Sequence, residues 1–214
     1  MKKLLLTTSL VLLLSGCQTA YYSAMEKVGI HKRDILIDRV EEAKESQQAS
    51  QQEFQSALER LSLLINLEGG ELQTVYSQLN DDYESSQKAA DDVSNRIDKV
   101  EDVANALFVE WNDELAQYQN PSLKRESEKK LNSTKRQFEK LLKSMRTSEK
   151  KMGPVLAALK DNVLYLKHNL NAQAVSAIKG EFNNLKRDIQ SLMTDMNKSI
   201  ADSNQFIEQM NKSN

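Results

Sequence analysis

The chain has one cysteine, two prolines, six glycines and a single tryptophan in 214 residues. Each scarcity excludes something. One cysteine cannot form an intrachain disulfide, so no covalent staple holds the fold. Few prolines and glycines leave few places where a helix must stop. A formal net charge of −2 is mildly acidic and argues against nucleic acid as a partner. No Gly-x-x-x-x-Gly-Lys-(Ser/Thr) loop, Gly-x-Ser-x-Gly elbow or His-Glu-x-x-His spacing occurs. The only apolar run of note, Leu4–Leu14, falls well below the roughly 20 residues that span a bilayer.

That run has an address-like context. Lys2 and Lys3 precede it, and Leu14-Ser15-Gly16-Cys17 closes it. A positive start, a short apolar stretch and small residues before the break point describe a secretion signal, residues 1–16. Leu-Ser-Gly-Cys resembles the bacterial lipobox, and the resemblance implies that Cys17 is acylated and heads the mature chain. More than one acyl chain gives lasting membrane attachment. Gln18 follows where an Asp would imply retention at the inner membrane. The expected location is therefore the outer membrane, facing the periplasm. Residues 17–32 are expected to be a short connector, in which Tyr21 and Tyr22 face either lipid headgroups or solvent and Gly29 interrupts any helix.

The rest is helix-rich, and its apolar residues recur at heptad spacing. A first helix is expected over about 33–67, with Leu36, Val40, Ala43, Gln47, Ser50, Phe54, Ala57, Leu61 and Leu64 as its seam. The seam weakens at Gln47 and Ser50. Gly69-Gly70 stops it. A second helix, about 71–119, carries a seam from Leu72 through Ile97 and Leu107 to Trp111, Glu114 and Tyr118. Asn120-Pro121-Ser122 ends it, with Ser122 as the expected cap of a third helix, about 123–152. The second helix is acidic, with twelve Asp/Glu against three Lys/Arg over 70–118; the third is basic, with eleven Lys/Arg against four Asp/Glu over 122–152. Opposite charge across a tight turn predicts an antiparallel hairpin in which the acidic helix covers the basic face.

Gly153-Pro154 reads as a second break, proline being well placed to begin a helix. A fourth helix is expected from Pro154 to about 211. It is either continuous or jointed near 169–173, and Val155, Leu164 and Tyr165 suggest that its first part is deeply buried. Residues 212–214 are a frayed tail. The predicted architecture is all-α: an elongated antiparallel coiled-coil bundle of about four long helices over 33–211.

Met25-Glu26-Lys27-Val28-Gly29-Ile30-His31-Lys32-Arg33-Asp34, together with Pro154–Leu156 and Val163–Ala174, resembles a family of helical lipoproteins from Gram-negative bacteria catalogued as a domain of unknown function. Some members carry a "DNA repair ATPase" label. The resemblance implies secretion and helices and no reaction, and the missing phosphate loop argues against the label.

His31 and His168, the only histidines, both lie in those stretches. A polar cluster of His31, Lys167, His168, Asn169 and Asn171 is one candidate site; a shared metal site lacks the usual ligand spacing, and no metal or cofactor is expected. Asp81-Asp82 and Asp91-Asp92 diverge by about 100° on a helix and read as solvated faces. The functional expectation is a non-enzymatic lipoprotein, tethered by Cys17, that works as a scaffold, spacer or adaptor. Its partners would be the membrane and a protein met through helix faces, or a second copy, but not nucleic acid. The alternative is a module that binds anionic lipid through the basic helix 122–152.

Overall fold

The computed structural model describes residues 21–22, 24–66 and 72–212. Four long helices follow one another: α1 (Lys32–Ile65), α2 (Leu72–Leu115), α3 (Pro121–His168) and α4 (Ala172–Lys212). Each reverses on the last. α1 packs on α2 and α4, and α3 packs on the same two, so α1 and α3 face each other across the diagonal of a square. At 1.5 Å per residue the 48 residues of α3 make a rod about 70 Å long.

Heptad spacing puts the core where it is. All nine expected seam residues of α1 are buried, Gln47 and Ser50 included. In α2 the seam holds from Leu79 to Leu107 and then moves. Glu114 and Tyr118 are exposed, Leu115 is buried instead, and the helix ends there. A carboxylate has no partner in an apolar seam, so Leu115 takes the buried place. Phe138 of α3 meets Phe108 of α2 and Phe206 of α4 edge-on, at centroid distances of 5.6 and 6.1 Å. Such pairs add about 0.5–1.5 kcal/mol beyond area burial.

The middle of the core is polar. Ser46, Gln47, Ser50, Ser86, Ser144, Ser148, Ser199 and Ser203 are all buried. Gln47 Nε2 donates to Ser148 Oγ at 3.0 Å, joining α1 to α3 across the diagonal. The hydroxyls of Ser144, Ser148, Ser86 and Ser203 donate to carbonyls of their own helices. Gln47 Oε1, Ser50 Oγ and Ser199 Oγ are buried without a hydrogen-bond partner.

Two expectations about helix ends change, and one left open is decided. α3 starts at Pro121, not 123, and Asn120 caps it by accepting from the N–H groups of Ser122 and Leu123 at 2.9 and 3.3 Å. Gly153-Pro154 is no break, because α3 runs through it to His168. The apolar stripe stays in phase across the proline. Met152, Val155, Leu156 and Leu159 are buried, whereas Gly153 and Pro154 are exposed. An interior proline costs about 3 kcal/mol; losing several buried side chains at about 1.5–3 kcal/mol each would cost more. The real joint is Asn169–Asn171. Asn169 Nδ2 bonds Tyr165 O, and Asn171 Oδ1 accepts from Ala174 N–H, each at 3.0 Å. Beyond Pro154 the helix is not uniformly buried, since Leu164 and Tyr165 are 48% and 42% exposed.

Candidate functional site: the anchored end

The end of the rod that holds the start of α1, the end of α2 and the start of α3 is where residues 21–30 fold back on the bundle. A short helical segment, residues 24–27, is closed by Gly29 at φ 84. Ile30 N–H donates to Met25 O and Gly29 N–H to Glu26 O, both at 3.0 Å. This 6→1 and 5→2 pairing needs the left-handed conformation that glycine adopts freely. The chain then turns into α1, where His31 N–H donates to the Asp34 carboxylate at 3.3 Å.

Two contacts hold the segment down. Tyr22 is 8% exposed and belongs to the main core cluster. It faces neither lipid nor solvent, because its ring lies edge-on to Tyr21 at 5.5 Å and joins the apolar surface of the bundle. Lys32 Nζ bonds both Glu26 and Glu110, the latter at 3.0 Å, and so ties the segment to α1 and α2. Burial alone would lower the Lys32 pKa; the two carboxylates outweigh it and hold the ammonium above its usual value. Burial, aided by the neighbouring Glu26, raises Glu110, while the Lys32 bond lowers Glu26. Burial also raises the Tyr22 phenol, with Asp102 adding to it. Cys17 lies outside the described residues. It precedes Tyr21 by four positions in the sequence.

The basic helix is largely uncovered, contrary to expectation. Residues 121–130 contain no buried side chain. Lys124, Arg125, Lys129, Lys130, Arg136, Lys143 and Lys150 are exposed and have no carboxylate within ion-pair distance among the described residues. Lys129, Arg136, Lys143 and Lys150 recur every seven residues, about 10.5 Å apart along one side of α3. Arg146 is the α3 cation that pairs with α2: it meets Asp98 and Glu101, each at 2.7 Å, and Glu149 on its own helix at 3.0 Å. Burial acts against its charge, and the three carboxylates overcome this and raise its pKa. Lys140 and Lys151 reach α4 instead, at Asp202 and Asp195. Lys135 lies 5.7 Å from the Phe108 ring centroid. Heptad geometry explains the outcome. The core-facing stripe of α3 points toward α2 and α4, and the cations lie opposite it.

The residues singled out from sequence are only partly gathered. Lys167 and His168 occupy the last turn of α3, where positive charge suits the helix dipole. Asn169 and Asn171 form the adjacent joint. His31 is toward the opposite end, about 55 Å away along the rod, since Gln47 is level with Ser148. Asp82 accepts from Arg60 Nε and Ser56 Oγ, both at 3.1 Å, and Asp92 accepts from Ser46 Oγ at 2.6 Å, so each joins α1 to α2. Asp81 and Asp91 face solvent. Trp111 is half-buried and donates to Ser127 Oγ at 2.8 Å, bracing the α2–α3 hairpin. Sequence reading placed Tyr22 at headgroups or in solvent, and missed Lys32 and Glu110. The spacing of Lys32 from Glu26 carried no signal, because Glu110 is 78 residues away.

Residues 21–210 match a family described as Protein of unknown function (DUF2959). Residues 1–18 match the prokaryotic membrane lipoprotein lipid attachment site. No curated protein matches the chain. Among the described residues no helix is long and apolar enough to cross a membrane.

Proposed function

The chain belongs to the DUF2959 family and is a membrane-anchored protein of the cell envelope, and we propose that it serves there as a non-enzymatic spacer or adaptor, standing on the outer membrane and facing the periplasm. One observation carries this reading. Tyr22, five residues after Cys17 in the sequence, is buried in the bundle, and Lys32 bonded to Glu26 and Glu110 holds the segment that follows it, which supports a stiff mount over a loose tether. A stiff mount fixes the reach of a rod about 70 Å long. Its far end, with exposed Leu164, Tyr165 and Leu170, supplies apolar side chains that a partner helix can cover.

The test is a flexible Gly/Ser insert of about 20 residues between Gln18 and Tyr21. Photo-crosslinkers placed at Tyr165 and Leu170 in intact cells report the partner. A spacer loses those crosslinks when the mount is loosened; crosslinks that persist unchanged refute the reading. Gln18→Asp should move the protein to the inner membrane, as read by fractionation.

The uncovered cations of α3 favour a second reading, contact with anionic lipid headgroups, each basic residue near such a surface contributing about 1 kcal/mol. Co-sedimentation of the Cys17→Ser protein with phosphatidylglycerol vesicles checks it. Salt-sensitive binding that drops with Lys129→Glu/Arg136→Glu supports it, and absence of binding removes it.

A further inference from the structure

The outer face between α3 and α4 changes charge midway along its length. Toward the anchored end it carries Lys143 and Lys198; the acids beside them are already ion-paired, Asp202 with Lys140 at 2.9 Å and Asp195 with Lys151 at 2.5 Å. Toward the far end a groove of about 560 Å³ has an apolar floor that includes Tyr165, Ile178 and Leu185. Every charged residue lining that groove is acidic: Asp161, Glu181 and Asp188. None of the three has an ion-pair partner among the described residues.

The switch is symmetric. Lys143 and Asp161 lie eighteen residues apart, centred beside Lys151. Lys198 and Glu181 lie seventeen apart, centred close to Ser191. Lys151 Nζ and Ser191 Oγ are 2.8 Å from each other, so the two centres are level. At that level the small residues Gly153, Pro154 and Ala157 are exposed beside Lys150 and Lys151, and a β-carbon on Gly153 would meet nothing within 4 Å.

A face whose charge inverts about its own middle is complementary to itself under a two-fold axis that lies in the face and runs across the helices. We propose that this face binds a second copy of the chain, antiparallel. Lys143 and Lys198 of each copy sit against Asp161 and Glu181 of the other, and the small residues around Pro154 meet at the axis. A parallel pairing would put like charges together. A strip two helices wide and about 50 Å long offers the area that a stable interface needs, about 800 Å² per partner. The antiparallel arrangement places the two lipid anchors at opposite ends of the pair, so both reach one membrane only if the pair lies along it, and only the unpaired chain stands from the membrane as a rod. The pairing goes beyond the spacer reading and stands or falls without it.

Cysteine trapping in intact cells tests the proposal with the full lipoprotein, whose own Cys17 carries no thiol once acylated. Pro154→Cys lies at the axis and should form a disulfide dimer with itself on mild oxidation. Lys143→Cys should not pair with itself, but should pair with co-expressed Asp161→Cys. In the Pro154→Cys background Lys143→Glu should cut the dimer yield about fivefold or more, and adding Asp161→Lys should restore it. Helix content and melting temperature of each purified variant separate lost pairing from lost folding. The proposal is overturned by no Pro154→Cys dimer in folded protein, by a product containing a different protein, by strong Lys143→Cys self-pairing, or by a dimer yield indifferent to the charge reversals.

Discussion

Replacing Gln47 with leucine should make the protein more stable. Gln47 is fully buried at a seam position of α1. Its Nε2 bonds Ser148 Oγ at 3.0 Å, while its Oε1 is buried with no partner. The bond contributes about 1 kcal/mol net, and the orphaned oxygen costs about 1–3 kcal/mol. Leucine removes both and adds a buried apolar side chain, worth about 1.5–3 kcal/mol relative to leaving it exposed. Ser148 is left tolerably placed, since its hydroxyl still donates to Met145 O at 2.8 Å. The balance is a gain of about 2 kcal/mol, which in a chain of this size raises Tm by about 4–8 °C. Thermal unfolding followed by circular dichroism measures it. Gln47→Ala, which swaps the orphan for a cavity, should fall below Leu by about 2–5 kcal/mol. A Gln47→Leu protein that melts at or below the parent temperature would refute the reasoning and show that Gln47 is satisfied by bound water. Retention of a buried polar residue at a seam fits a role in fixing which helices face each other. The Leu variant should therefore also show a less cooperative transition.

Tyr22→Ala should release the N-terminal segment without unfolding the bundle, read as loss of amide-exchange protection at Gly29 and Ile30 with Tm lowered far less than a core deletion of about 3–5 kcal/mol would give. Pro154→Ala restores the N–H that α3 lacks at an exposed position, and should raise stability by about 1–3 kcal/mol in thermal melts. Glu42 has a lowered pKa because bonds from Arg39 at 2.7 Å and Arg96 at 2.6 Å outweigh the burial that would raise it. A depressed carboxylate contributes stability above its unfolded value, about pH 4.3, and loses it as pH falls through the folded value. Glu42→Gln should then flatten the decline in Tm below about pH 5, and an identical acid profile would contradict the assignment.

How much of this was legible in advance depends on the range of each interaction. The nine seam residues of α1 were readable because helical period and burial are set within a few neighbours. The α2–α3 turn was readable because Asn120 and Pro121 carry their conformational preference locally. Gly153-Pro154 misled for the same reason. Its local preference is real, but the in-phase burial of Met152, Val155 and Leu159 on either side decides against a break. The basic face misled because net charge per helix ignores direction; Arg146 turns toward Asp98 and Glu101 while Lys129, Arg136 and Lys143 turn away. In the candidate site Cys17 and its setting were visible in the order of residues alone.

The amino-acid order by itself determined that the chain carries a lipid attachment site, that it is helical, and which stripe of each helix is buried, since these follow from short-range spacing. Only the tertiary structure decided that Tyr22 and the Lys32–Glu110 pair lock the anchor end, that Asn169–Asn171 is the last bend, and that the cations of α3 stay uncovered. Each of those depends on which helix lies beside which, and that is fixed by contacts between residues dozens of positions apart.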